Sequence, residues 1–279
     1  METTRQLAFI NNKYGFTISF INGEQLISEI AQIHNIGPLA LAFYKKTLLG
    51  STQLINYLKA EESIGFYIDS EDPYFRYKLE LSATGSLRTL LLPEDFEELP
   101  THITGRARIH KMSLKGQPYT SILEYEDFPI ESIINDVLDK SYQFQAKVMF
   151  SPDFHNSVMI TKLPPTNINK KIEDFEEIGL ESFIDEKIEF FADLLSGSKQ
   201  SIAELSEFCE KEDFSYIGSH ELKFHCPCSY ERMLHNFSTL SPKDIEEIFA
   251  ESDQVETRCD YCNTIYKVLR EDISPNTVQ

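Results

Sequence analysis

Between Tyr14 and Phe20 apolar and polar residues alternate, with Phe16, Ile18 and Phe20 on one face, and that period of two predicts a strand. Asn22-Gly23 then turns the chain into a helix over 24–34, whose Leu26, Ile27, Ile30 and Ala31 fall at helical spacing and face inward. Asn35-Ile36-Gly37-Pro38 breaks it, and a longer helix runs to about Leu58. Three strands follow at 64–69, 75–82 and 86–92, with Ala83-Thr84-Gly85 turning the second into the third. A hairpin over 103–112 and 117–124 turns at Lys115-Gly116. A helix over 129–139 carries Ile130, Ile133, Ile134, Val137 and Leu138 on its apolar face, and strands near 146–150 and 158–163 end at Pro164-Pro165. Residues 1–166 therefore read as one α+β domain on a mostly antiparallel sheet.

Charge changes the picture beyond that proline pair. From Lys171 to Asp213 the chain carries fourteen acids against four lysines, a net of −10. Apolar residues persist at helical spacing: Ile172, Phe175 and Ile178, then Phe183, Ile184, Ile188, Phe191, Leu194 and Leu195. Residues 167–218 thus read as a linker of short amphipathic helices docked on the first domain and weakened by their own like charges. Taken alone, the same pattern also fits an ordinary acidic face over a core stripe. Cys209, beside Phe208, reads as a small buried residue.

Residues 219–279 hold the chemistry. Cys226-Pro227-Cys228 is followed, thirty residues later, by Cys259-Asp260-Tyr261-Cys262. Two close cysteine pairs, far apart in sequence, are the pattern of a four-thiolate zinc site, because each pair places two sulfurs on one tight turn. Ser229 can cap a helix bearing Tyr230, Met233, Leu234 and Phe237 on one face. Ser241-Pro242 starts another bearing Ile245, Ile248 and Phe249. Short strands at 255–258 and 264–268 flank the second pair, and Asn263 can take the left-handed turn such a knuckle needs. Four unligated thiols or two disulfides would also fit the residues. His220, His225 or His235 could each replace one sulfur.

Composition narrows the function. A net charge of −19 and a pI near 4.8 oppose binding to phosphate backbones and to anionic membrane surfaces. No apolar run follows Met1-Glu2-Thr3-Thr4-Arg5, and the longest such run, near 38–44, is too short to span a bilayer. The expectation is a cytoplasmic protein whose thiols start reduced. There is no GxxxxGK[ST] or GxGxxG loop and no convincing Ser-His-Asp or Cys-His set, so no enzyme is expected. A zinc-ribbon nucleic-acid binder would need a basic patch, and Lys223, Arg232, Lys243, Arg258, Lys267 and Arg270 lie among many acids. A thiol–disulfide oxidoreductase would need a thioredoxin-like βαβ pattern near its CxxC.

The stretch Cys226-Pro227-Cys228-Ser229-Tyr230-Glu231-Arg232, with Cys259-Asp260-Tyr261-Cys262 and Tyr266, resembles the C-terminal signature of the 33 kDa redox-regulated heat-shock chaperone (33 kDa chaperonin) family. That signature is CxC-S-x-E-R, a gap of this size, then CxxC, and Asn263 stands where the family usually has glycine. Ala31, His34 and Pro38, Ala83 to Arg88, Pro118-Tyr119-Thr120 and Ser141-Tyr142-Gln143 resemble the family more diffusely. Arg88 reads as a solvated or salt-bridged strand residue.

The resemblance implies an ATP-independent holdase. One Zn2+ would be held by Cys226, Cys228, Cys259 and Cys262 in the reduced, inactive state. Oxidation would pair Cys226 with Cys228 and Cys259 with Cys262, release the zinc, unfold 219–279 and loosen the linker. The active form would be a homodimer that binds unfolded client proteins. The alternative is a diverged member whose zinc module is structural and whose partner is another protein.

Overall fold

Strand β1 (Arg5–Asn11) pairs antiparallel with β2 (Phe16–Asn22), and β2 pairs in turn with β9 (Asn156–Lys162). β8 (Ala146–Phe150) closes one edge of this sheet and β10 (Phe214–Glu221) the other, in the order β10-β1-β2-β9-β8. A second sheet is built from β3 (Glu62–Asp72), β4 (Tyr74–Ser82), β5 (Ser86–Leu92), β6 (His102–Ser113), β7 (Tyr119–Pro129) and the two-residue β11 (Lys223–Phe224). Its order is β11-β5-β4-β3-β6-β7, antiparallel except where β11 runs parallel to β5. The computed structural model describes residues 3–113, 116–164, 175–198 and 201–273. Met1, Glu2, Lys115, Pro165, Lys171 and Ile172 lie outside them.

Two apolar cores organise the first unit. One lies between the six-stranded sheet and the helices α1 (Glu24–Ile33), α2 (Pro38–Thr52) and α3 (Ile133–Lys140). Phe66, Tyr77, Leu48 and Val137 are fully buried there. The helix expected to reach Leu58 ends as α-helix at Thr52 and continues as a 3-10 turn, Gln53–Tyr57. Ala31, expected to face inward, is exposed. The second core lies between Phe16, Ile18 and Phe20 of the five-stranded sheet and the helices α4 (Leu180–Glu186), α5 (Ile188–Leu195) and α6 (Ile202–Glu210). Phe183, Phe191 and Cys209 are fully buried in it. Ile188 was expected on that face but is 47% exposed, and Phe190 packs there instead, because the chain breaks helix at Lys187 and resets its phase.

The chain divides into two units, 1–224 and 225–279. The first takes in the acidic helices and β10, which pairs with β1 across more than two hundred residues of sequence. Residues 219–224 group with the first unit because β10 and β11 are strands of the two sheets.

Gly85 fixes the entry to β5. Its φ is +81°, and a Cβ there would stand 1.7 Å from the Glu221 carbonyl oxygen. Gly85→Ala is therefore expected to destabilise the first unit by at least about 1 kcal/mol. A lowered urea midpoint would show it, and an unchanged midpoint would mean that the loop shifts freely.

Candidate metal centre

The second unit has little apolar material of its own. Phe237, Phe249 and Val268 are its buried hydrophobic core, with Tyr230, Leu234, Ile245, Val255 and Ile273 partly covering them. These side chains come from α7 (Tyr230–Ser238), α8 (Pro242–Ile248) and the antiparallel pair β12 (Gln254–Arg258) and β13 (Ile265–Leu269), or lie close beside them. Both helix starts are set locally. Ser229 Oγ accepts from the Arg232 N–H, and Ser241 with Asp244 forms a reciprocal capping box with Pro242 in the first turn.

Each cysteine pair sits on a turn fixed by its neighbours. Pro227 disfavours helical backbone at Cys226, and α7 starts only after Ser229, whose own backbone is extended. The second pair lies on the β12–β13 turn. There the Cys259 N–H donates to the Thr264 carbonyl at 3.0 Å and the Asn263 N–H to the Cys259 carbonyl at 2.8 Å. Asn263 takes φ +57°, the left-handed conformation that asparagine tolerates.

These turns bring all four sulfurs within 4.8 Å of one another. Cys226 Sγ lies 3.7 Å from Cys259 Sγ, and Cys228 Sγ 3.3 Å from Cys262 Sγ. Sulfurs about 2.3 Å from one tetrahedral ion would be about 3.8 Å apart, so the donor set is the right size and chemistry for a single metal ion. Among the described residues no histidine joins the group, and none of the five cysteines is in a disulfide. Cys209 is buried in the second core of the first unit.

Two hydroxyls polarise the sulfurs. Tyr266 Oη donates to Cys228 Sγ at 3.0 Å, and Thr264 Oγ1 lies 3.2 Å from Cys262 Sγ. The hydrogen bond to Cys228, with burial adding to it, pushes the Tyr266 phenol up to about 12. Burial raises the Cys262 thiol. The Thr264 hydroxyl and backbone N–H, with the sulfurs of Cys228 and Cys259, outweigh that and bring it to about 7. Burial pushes Cys259 the other way, upward. Neither hydroxyl stood out as a sulfur partner in the sequence. The available signal was their even spacing from Cys262, which puts Thr264 and Tyr266 on one face of an extended segment.

The Hsp33 protein family model matches residues 5–269, nearly the whole chain. The chain belongs to the Hsp33 family. Relatives of similar length are the 33 kDa chaperonins of Thermosipho melanesiensis, 20% identical over 91% of this chain and 92% of its own, and of Shewanella woodyi, 22% identical over 90% and 87%. A shorter stretch of 53 residues is 40% identical to the 33 kDa chaperonin of Agathobacter rectalis, covering 19% of this chain and 18% of that one. The crystal structure of the Hsp33 homologue from Thermotoga maritima superposes with a TM-score of 0.72 at 15% identity, over 98% of this chain and 97% of that one. That likeness shows the fold, which is α+β with mostly antiparallel sheets and a C-terminal cluster of four cysteines. Family membership makes this Hsp33 chain a chaperone. No helix among the described residues is long and apolar enough to cross a membrane.

Proposed function

We propose that the protein is a redox-controlled, ATP-independent holdase whose switch is the four-cysteine cluster of the second unit. One observation carries the reading: four sulfurs within 4.8 Å of one another in a unit whose buried apolar core, among the described residues, is Phe237, Phe249 and Val268. The ion they fit is Zn2+, held by Cys226, Cys228, Cys259 and Cys262. When bound, it supplies a cross-link between the two turns and no redox chemistry of its own.

The oxidisable atoms are the sulfurs. An oxidant such as hypochlorous acid takes two electrons from each cysteine pair and leaves as chloride and water, while the pair closes to a disulfide. Cys226 would join Cys228, and Cys259 would join Cys262. A disulfide offers no thiolate donors, so the cross-link is lost and with it most of the stability of residues 225–273. The acidic segment that includes α4–α6 is read as a metastable linker that loosens in turn. It would uncover the sheet face of Phe16, Ile18 and Phe20 for unfolded clients, with a homodimer as the active form. The net charge of −19 keeps such a complex soluble and speaks against nucleic acid or anionic membranes as partners. A cytoplasmic location, where the thiols start reduced, fits this cycle, and no catalysed reaction is part of it.

The test is light scattering from a heat-denatured client. Suppression of aggregation by the hypochlorous-acid-treated protein, and not by the reduced one, is the expected result. Equal behaviour of the two forms would favour a structural metal module and a different protein partner. Within the site, Tyr266→Phe removes the O–H donor to Cys228 and is expected to raise the rate at which iodoacetamide alkylates that sulfur. An unchanged rate would mean that the hydroxyl does not act on the sulfur in solution.

A further inference from the structure

Outside the cysteine cluster, the first unit carries a pocket that its chaperone reading does not use. It has a volume of about 550 Å³ and lies between α2, the loop before β6, the start of α3 and the β8–β9 hairpin. That volume is within the range of roughly 300–1,000 Å³ typical of small-molecule sites. Its apolar lining includes Phe43, Ile130, Ile134, Phe150 and Phe154, with Thr47, Thr101 and His102 among its polar residues. Gly50 lets two of these walls close on α2: a Cβ there would stand 3.1 Å from both the Ile134 and the Phe150 side chains.

One cation faces these apolar walls in a fixed place. Lys46 Nζ sits 5.8 Å from the Phe150 ring centroid and 5.7 Å from that of Phe154, and its side chain is only 26% exposed. Ring faces hold an ammonium by their quadrupoles but offer it little as hydrogen-bond acceptors. The acceptor it uses is Glu131 Oε2 at 3.1 Å, on a side chain that is 70% exposed. An ion pair with so exposed a carboxylate contributes little, and Glu131 can turn to water at small cost. The pocket thus pairs an apolar cavity with a positioned ammonium whose present counter-ion is replaceable.

We propose that this pocket binds a small aliphatic monocarboxylate, its chain against Phe43, Ile134 and Phe154 and its carboxylate on Lys46 Nζ in place of Glu131. The exchange is charge-neutral at the site, since one carboxylate replaces another. A neutral apolar molecule would fill the same walls but would gain nothing from the ammonium. Glu131 is then a built-in competitor of the ligand, and its removal strengthens binding.

Isothermal titration of the reduced full-length protein with octanoate and with 1-octanol tests this. Octanoate is expected to bind one per chain and more tightly than octanol. Lys46→Met is expected to weaken octanoate by roughly tenfold or more, the loss of one charge-assisted hydrogen bond, while leaving octanol unchanged. The unchanged octanol affinity shows that the pocket of the variant is still folded. Glu131→Gln is expected to tighten octanoate several-fold. The proposal is overturned if octanol binds wild type as tightly as octanoate, if Lys46→Met leaves octanoate unaffected, or if octanoate does not bind at millimolar concentration.

Discussion

Cys259→Ser is expected to leave residues 225–273 unfolded while the first unit stays folded. Units below about 70–80 residues seldom draw more than about 3–5 kcal/mol from their cores. This one has 55 residues, and Phe237, Phe249 and Val268 are its buried apolar side chains among the described residues. A structural zinc ion contributes roughly 10–16 kcal/mol, which exceeds anything that core can replace. Cys259 is the one buried sulfur of the four, and its backbone anchors the turn at both ends through Thr264 and Asn263. Serine keeps those backbone bonds but is a far poorer ligand than a thiolate. Metal content and amide exchange on the purified variant check the point. The expected result is zinc well below one per chain, with amide protection lost across 225–273 and retained in β3–β6. One tightly held zinc with normal protection would remove Cys259 from the donor set.

Phe183→Ala should release the acidic helices without any oxidant. The Phe183 ring stacks on Phe16 at 4.0 Å between centroids with 3° between planes, and meets Phe191 and Phe214 at 6.2 Å. It is fully buried and joins α4 to the five-stranded sheet, so its truncation should cost about 3–5 kcal/mol. The helices around it carry many like charges and have little local reserve against that loss. The variant is therefore expected to suppress client aggregation while its thiols remain reduced and its metal remains bound. Loss of stability in α4–α6 without client binding would show that the uncovered face of Phe16, Ile18 and Phe20 is not the client surface.

The cysteine cluster was legible because its information is local. Pro227, Ser229, Asn263 and the pair spacings fix two turns, and the structure brings their four sulfurs together. Strands β2–β9 and the helices between them were also legible, because each shows its own period. β1 and β10 were not read. In β1 the polar Gln6 and Asn11 are as enclosed as Phe9 while Ala8 and Ile10 are half-buried, so burial there does not follow a polar–apolar alternation. β10 is an edge strand with Tyr216 and Ile217 turned to solvent, and its partner lies at the other end of the sequence. A domain boundary drawn from local composition could not see that pairing. The phase error at Ile188 has a similar origin, since a helix break at Lys187 leaves no mark in hydrophobic spacing. The sulfur-directed hydroxyls of Thr264 and Tyr266 went unnoticed because a hydroxyl acquires that role only when the turn folds.

In the proposed switch, the redox state of four sulfurs controls the folding of the second unit and, through it, the acidic helices. The most direct measurement is a hypochlorous-acid titration of the zinc-loaded protein, with zinc release, thiol loss and amide exchange followed in the same samples. One zinc is expected to leave as four thiols disappear. Protection should fall together in 225–273 and in α4–α6, while β3–β6 stay protected. Four thiols lost with the protection of 225–273 intact would contradict it.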